Sequence, residues 1–179
     1  ENILNYELLI MSPGVPMDLP FVVNAKTNNI PIIGEFEFAS MYCKAPIIAI
    51  TGTNGKTTTT ALVGEIVKSY IADTYVVGNI GRAFSEDVNR IQNTDAVVAE
   101  VSSFQLESVD TFHPKISSVL NITPDHLNRH GTMEDYINAK KRIFKNQSKN
   151  DFIVLNYDDP ECVIMENETK ANVIWFSKK

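Results

Sequence analysis

The stretch IIAITGTNGKTTTT, residues 47–60, carries the residue types that hold phosphate. Gly52, Thr53, Asn54 and Gly55 separate an apolar, β-branched run from a run that suits a helix. Gly55 has no side chain to block an anion. The amides of residues 54 to 57 are expected to point at it, and a helix starting here adds partial positive charge. Lys56 has the reach for β- and γ-phosphates, and the Thr57 hydroxyl suits Mg²⁺. The long form of such a loop, G-x-x-x-x-G-K-[ST], requires glycine at position 50, where Ile50 stands. The bland alternative is a glycine turn capped by threonines. G-K-T between a strand and a helix favours a shortened phosphate loop.

A nucleotide-bound Mg²⁺ also wants a carboxylate. Glu100 closes the apolar run of DAVVAEV (95–101), where an acid on a neighbouring strand would face the loop. His126, in NITPDHLNRH, is by spacing alone as readily structural or solvated as a ligand. His130 is a weaker candidate, and His113, before Pro114, is expected at the surface. Composition alone gives Lys140 no role beyond a solvated helix charge.

These residues need elements to position them. Eight short runs read as strands: 7–11, 31–34, 46–51, 74–78, 95–101, 116–122, 152–156 and 172–176. Several are apolar on both faces, as in sheets covered on each side. Between them lie helical patterns. Ala61, Leu62, Ile66 and Val67 share one side of 57–71, and Tyr136, Ala139, Ile143 and Phe144 share one side of 135–146. Strand–helix repetition predicts an α/β fold, a mostly parallel sheet with helices on both faces. The phosphate-loop ATPase-like part would be preceded by the end of a smaller Rossmann-like unit, with the boundary at 43–46. Ligands gather at the carboxyl ends of parallel strands. The loops SPGVP, TGTNGKT, GNIG, SSFQLE and TPDHLNRH all fall there.

The bulk properties exclude several classes. At 44% apolar and 21% charged, the 179-residue chain has an ordinary globular composition. No apolar run approaches the roughly 20 residues of a membrane helix, and no secretory signal is visible. A net charge of −6 argues against a general nucleic-acid binder. Cys43 and Cys162 read as two buried free thiols of a reducing compartment. The N-x-[ST] triplets at Asn121, Asn146 and Asn167 are chance matches in a cytoplasmic chain.

Together, TGTNGKTT, GNIG (78–81), EVSSFQLE (100–107) and NITPDHLNRHGTMEDYINAKKRIF (121–144) resemble the Mur ligases, the ATP-dependent amide ligases of peptidoglycan synthesis. That family's loop has the short G-x-x-G-K-[ST] form, which accounts for Ile50. SSFQLE narrows the resemblance to members that add D-glutamate to UDP-N-acetylmuramoyl-L-alanine, since siblings differ after the two serines. The resemblance implies ATP and two Mg²⁺ ions, with phosphate contacts from Gly52, Thr53, Asn54, Gly55, Lys56, Thr57 and Thr58. Thr57 and Glu100 would hold Mg²⁺, Glu100 bridging two ions. His126 and Lys140 would serve the second, Lys140 as a carbamylated lysine, a carboxylate-like group that accepts a cation. Lys141 is turned one helical step away. Asn79, Ser102 and Gln105 would touch the muramoyl-peptide end of the substrate, and Ser12, Pro13 and Gly14 its uridine diphosphate.

The resemblance further implies that 1–44 is the end of the uridine-nucleotide domain and 45–179 an incomplete central domain. The C-terminal domain, with the D-glutamate site, would lie outside the chain, making it a fragment not active alone. A cytoplasmic monomer with small-molecule substrates, no nucleic acid and no membrane insertion is expected. The chemistry would be phosphorylation of the alanyl carboxylate to an acyl phosphate, then attack by the amine. Two alternatives stay open: another ligase of the superfamily (a different amino acid, or a folylpolyglutamate synthase), and an ATP-binding switch without ligase activity.

Overall fold

The computed structural model describes residues 2–178. The chain runs β1 (Leu9–Met11), α1 (Pro20–Thr27), β2 (Ile32–Gly34), α2 (Glu35–Tyr42), β3 (Ile47–Thr51), α3 (Lys56–Lys68), β4 (Thr74–Gly78), α4 (Phe84–Asp87), β5 (Ala96–Glu100), α5 (Ser103–Leu106), β6 (Ile116–Val119), α6 (Leu127–His130), α7 (Met133–Lys141), β7 (Phe152–Asn156), α8 (Pro160–Ile164) and β8 (Asn172–Phe176). All eight expected strands form. The fold is α/β, a mostly parallel sheet with helices. β1 and β2 pair in parallel as a separate two-stranded sheet, and the other six lie in the order β4-β5-β3-β6-β7-β8.

Every pairing in the large sheet is parallel. From β3 the chain goes out to the edge strand β4 and returns to β5 beside β3, then crosses to the other side and builds outward through β6, β7 and β8. The reversal leaves a crevice at the carboxyl end of β3, where such sheets bind ligands. β5 shows why this strand reads as continuously apolar. Val97 and Ala99 belong to the main core with Phe36, Phe84 and Phe112, while Val98, pointing the other way, is also fully buried. Each buried valine contributes about 1.5–3 kcal/mol.

Two expectations about helices fare differently. Tyr136, Ala139, Ile143 and Phe144 are all buried, so the α7 face is as read, although the last two lie in a short 3₁₀ turn after Lys141. On α3 the reading is overturned. Leu62 and Ile66 are more than half exposed, and Ala61 is exposed too. The helix meets the sheet through Thr60 and Gly64. A Cβ on Gly64 would stand 2.5 Å from Val76 Cγ2. Close approach therefore selects the smallest residue over the most apolar ones.

The link 43–46 joins α2 to β3. On its amino side, Phe36 and Ala39 of α2 share the core of the large sheet, with Phe36 packed on Phe84 and Phe112 at centroid distances of 5.5 and 5.0 Å. Buried Glu37 accepts from the Thr111 amide and hydroxyl, both at 2.7 Å, and from the Phe112 amide at 3.2 Å. Among the described residues, no helix is long and apolar enough to cross a membrane. Cys43 and Cys162 are free; Cys162 is buried and Cys43 only partly so.

Candidate functional site

β3 ends in a loop, residues 52–55, that turns into α3. Ile50 is 1% exposed and pairs with Glu100 and Ser118, so it belongs to the strand, and the turn starts only after Thr51. Gly52 and Gly55 adopt φ of +150° and +81°, conformations that side chains disfavour. The loop is tied down on one side. Thr53 donates its amide to the Asn121 carbonyl at 2.9 Å. Its hydroxyl lies 3.0 Å from the Tyr136 hydroxyl, donates to Thr123 O at 3.1 Å and accepts from the Thr123 amide at 2.9 Å. Asn54 donates its amide to Asn121 Oδ1 at 2.8 Å, and Asn121 Nδ2 donates back to Asn54 O at 3.0 Å. The Asn54 amide is therefore engaged, which corrects the expectation that residues 54 to 57 all offer amides to an anion. Those of Gly55, Lys56 and Thr57, at the start of α3, are the donors left for that role.

Lys56 Nζ folds back to Thr53 O at 2.9 Å. The Thr57 hydroxyl donates to Glu100 Oε2 at 2.8 Å, and Asn79 Nδ2 donates to Glu100 Oε1, also at 2.8 Å. Glu100, 1% exposed, is thus a buried carboxylate at the end of β5, presented to the loop from the adjacent strand. The turn after β4 makes this possible. Gly78 has φ +100°, and a Cβ there would lie 2.2 Å from Glu100 O. The backbone can pass only as glycine, and it delivers Asn79, whose amide also bonds Glu100 O at 2.9 Å.

Lys140 is buried, 1% exposed, against its expected place in solvent on composition alone. Its Nζ donates to Gly52 O at 2.8 Å and sits 4.6 Å from the centre of the Tyr136 ring. Burial, and after it the Lys56 charge, pushes the Lys140 ammonium down to about 7, with Asp125 opposing. Lys141 points elsewhere and pairs with Glu168 at 2.5 Å. His126 has the left-handed φ of +50°, uncommon outside glycine, and its half-exposed ring lies 5.0 Å from Phe104. His130 has a framework role: its ring is buried between Ser103 Oγ at 2.9 Å and Glu107 Oε1 at 3.0 Å. His113 is half exposed and pairs with Asp151 at 2.8 Å.

Lys56, Asn79, Ser102, His126 and Lys140 line one small cavity of about 110 Å³. A second, of about 340 Å³, is lined by Ser12, Pro13, Gly14 and Gln105 among others. Phe104 borders both. Ser102 and Gln105 also cap α5 reciprocally, with Gln105 Oε1 accepting from the Ser102 amide at 2.9 Å. The residues predicted to touch the substrate thus divide between two adjoining cavities, Gln105 falling with the Ser12 loop and not with Asn79 and Ser102, while Thr57 and Glu100 line neither. Thr58 is exposed on the first turn of α3. Sequence reasoning missed Tyr136 as more than a core residue, and gave Asn121 no part in the loop. The available signal was an asparagine just past the end of the strand beside the loop strand.

Among the described residues, no group of three or more His, Cys, Asp and Glu side chains forms a metal cluster. The Thr57 hydroxyl and Glu100 carboxylate, 2.8 Å apart, fit a different pattern. Mg²⁺ takes one or two protein oxygens and completes its shell with phosphate and water. His126 and Lys140 fit a second cation only with Lys140 converted to a carbamate, since an ammonium repels it.

The chain belongs to the Mur ligase family: residues 50–179, most of its length, match the model of the Mur ligase middle domain. It is 55% identical over 173 residues to the UDP-N-acetylmuramoylalanine–D-glutamate ligase of Lachnospira eligens, covering 97% of this chain and 38% of that protein. With the ligase of the same name from Clostridioides difficile it shares 52% over 179 residues, covering 99% of this chain and 40% of the relative. The chain therefore spans about two-fifths of the length of these curated relatives. Among solved structures it superposes on the UDP-N-acetylmuramate:L-alanyl-γ-D-glutamyl-meso-diaminopimelate ligase of Neisseria meningitides with a TM-score of 0.70 at 14% identity, over 96% of this chain and 59% of that one. The ADP complex of the Thermotoga maritima MurF ligase gives a TM-score of 0.65 at 18% identity, over 99% of this chain and 49% of that one. Those two likenesses carry the fold.

Proposed function

We propose that this chain is the phosphate- and metal-handling part of a cytoplasmic ligase that joins D-glutamate to UDP-N-acetylmuramoyl-L-alanine at the expense of ATP. Residues 1–44 would be the end of the uridine-nucleotide domain and 45–179 the central ATP-binding domain. One observation carries the reading: Lys56, Asn79, His126 and Lys140, from four separate segments, surround a single cavity beside buried Glu100, which accepts from the Thr57 hydroxyl. The high identity to relatives bearing that name supports the choice of amino acid.

Such a reaction must overcome a poor leaving group, because a carboxylate does not release oxide to an incoming amine. Phosphoryl transfer to the alanyl carboxylate converts that oxygen into phosphate, which departs when the D-glutamate nitrogen attacks. Two anions, ATP and carboxylate, must approach each other. Lys56 and the free amides of residues 55–57 meet that charge, and Asn79 holds Glu100 in place. Thr57 and Glu100 would hold Mg²⁺, and His126 with a carbamylated Lys140 would hold a second ion; when bound, the metal would supply charge neutralisation on the phosphates. A lysine brought down to about 7 has the free amine that CO₂ requires, which supports the modification. Ser12–Gly14 would receive the uridine diphosphate, and Asn79, Ser102 and Gln105 the muramoyl-alanine.

The test is phosphate release by the full-length protein. It is expected only with ATP, Mg²⁺, UDP-N-acetylmuramoyl-L-alanine and D-glutamate all present. Equal release with another amino acid points to a sibling ligase, and release independent of the UDP substrate defeats the ligase reading.

A further inference from the structure

We infer that Asn121 is a positioning residue for the phosphate loop, setting the direction of the two peptide planes that flank Asn54 before nucleotide arrives. This rests on the nucleotide reading given above. The loop has two glycines at positive φ, so by itself it is free to take many shapes. Its two other residues, Thr53 and Asn54, are both held by Asn121, a residue 67 positions away from Asn54.

The grip has a directional consequence. In a trans peptide the C=O and the N–H point opposite ways. Asn121 Nδ2 holds Asn54 O, so the Gly55 N–H of that same peptide is turned away from Asn121, as an anion donor at the start of α3 must be. Asn121 Oδ1 holds the Asn54 N–H, so the Thr53 carbonyl of the preceding peptide also faces away. That carbonyl is the one on which Lys56 Nζ rests, at 2.9 Å. One carboxamide therefore fixes both a backbone donor for phosphate and the anchor of the phosphate-binding lysine. Only asparagine fits both partners at this reach. Aspartate keeps the acceptor for Asn54 N–H but sets an oxygen against Asn54 O, and alanine removes both bonds.

The experiment measures binding of Mg²⁺ with a non-hydrolysable ATP analogue to the full-length protein carrying Asn121→Ala or Asn121→Asp, alongside steady-state kinetics and thermal unfolding. Loss of two hydrogen bonds at about 1 kcal/mol each predicts binding weakened about 30-fold in Asn121→Ala. Asn121→Asp is expected to weaken it at least as much, through charge repulsion with phosphate. The KM for ATP should rise by the same factor with the KM for the amine substrate unchanged, a split that a general loss of folding would not produce. If the alanine variant does not fold, Asn121→Ser, which removes the carboxamide without adding charge, decides in its place. Analogue binding as tight as in the unsubstituted protein, in a folded variant, overturns the inference and leaves the nucleotide reading standing. An unsubstituted protein that binds no analogue overturns both.

Discussion

Replacing Glu100 by glutamine separates what this carboxylate does for the fold from what it does for nucleotide. In this structure it is 1% exposed and receives two neutral donors, the Thr57 hydroxyl and the Asn79 side-chain amide. Bonds to a charged acceptor contribute about 1.5–3 kcal/mol each and neutral ones about half that, so the exchange of two bonds loses roughly 1.5–3 kcal/mol of hydrogen bonding. Against this, a buried carboxylate carries a desolvation cost of several kcal/mol, which the amide does not. The two effects nearly cancel, and Glu100→Gln should leave the unliganded protein as stable as before or slightly more so. Nucleotide binding has no such compensation. The variant removes the one carboxylate bonded to the Thr57 hydroxyl, and loss of about 3–4 kcal/mol of Mg²⁺-dependent affinity is expected, on the order of 10²–10³-fold. Thermal unfolding with and without Mg²⁺ and a non-hydrolysable ATP analogue measures both quantities on one sample. The parent should gain stability from the mixture, and the variant should gain little at the same concentration. A variant that loses several kcal/mol unliganded, yet keeps the full ligand-induced shift, would show that Glu100 is a framework residue and refute the reasoning.

Lys140→Ala should abolish turnover in the full-length protein, with partial recovery on adding short carboxylic acids that replace the carbamate; full activity without them removes Lys140 from the site. Gly78→Ala should cost about 3 kcal/mol or more, because a methyl cannot stand 2.2 Å from Glu100 O at a φ of +100°; chemical denaturation giving a loss under 1 kcal/mol would contradict the geometry. Burial pushes the Asp151 carboxyl up, but bonds from His113, from the amide and hydroxyl of Ser148 and from Lys115 outweigh it and hold the group well below the usual carboxylate range. Its contribution is therefore complete above the unfolded value of about 3.9 and is lost as pH falls through the folded one. Asp151→Asn should be less stable at neutral pH, and its deficit should shrink in urea melts below about pH 4; a pH-independent difference would rule out the carboxylate as the cause.

How much of this was legible beforehand depended on the range of the forces involved. The eight strands and the glycine turn between β3 and α3 were, because β-branched runs and the G-x-x-G-K-T turn are local signals that hold whatever packs around them. Glu100 was placed correctly for the same reason: β5 is apolar on both faces, so an acid at its carboxyl end must emerge at the rim. The α3 face was not, since Leu62 and Ile66 have the right spacing, and only the approach of Val76 to within 2.5 Å of a Cβ at Gly64 decides that the small side packs inward. Lys140 looks like any helical lysine until Gly52 O and the Tyr136 ring close over it. Asn121 takes its role from a loop 67 residues away. Residue type and spacing by themselves determined the strands, the glycine turn after β3 and the strand end at which Glu100 stands. Which donors stay free, which lysine is driven toward neutrality and which helix face is covered are set by contacts between distant segments, and a linear pattern does not contain those distances.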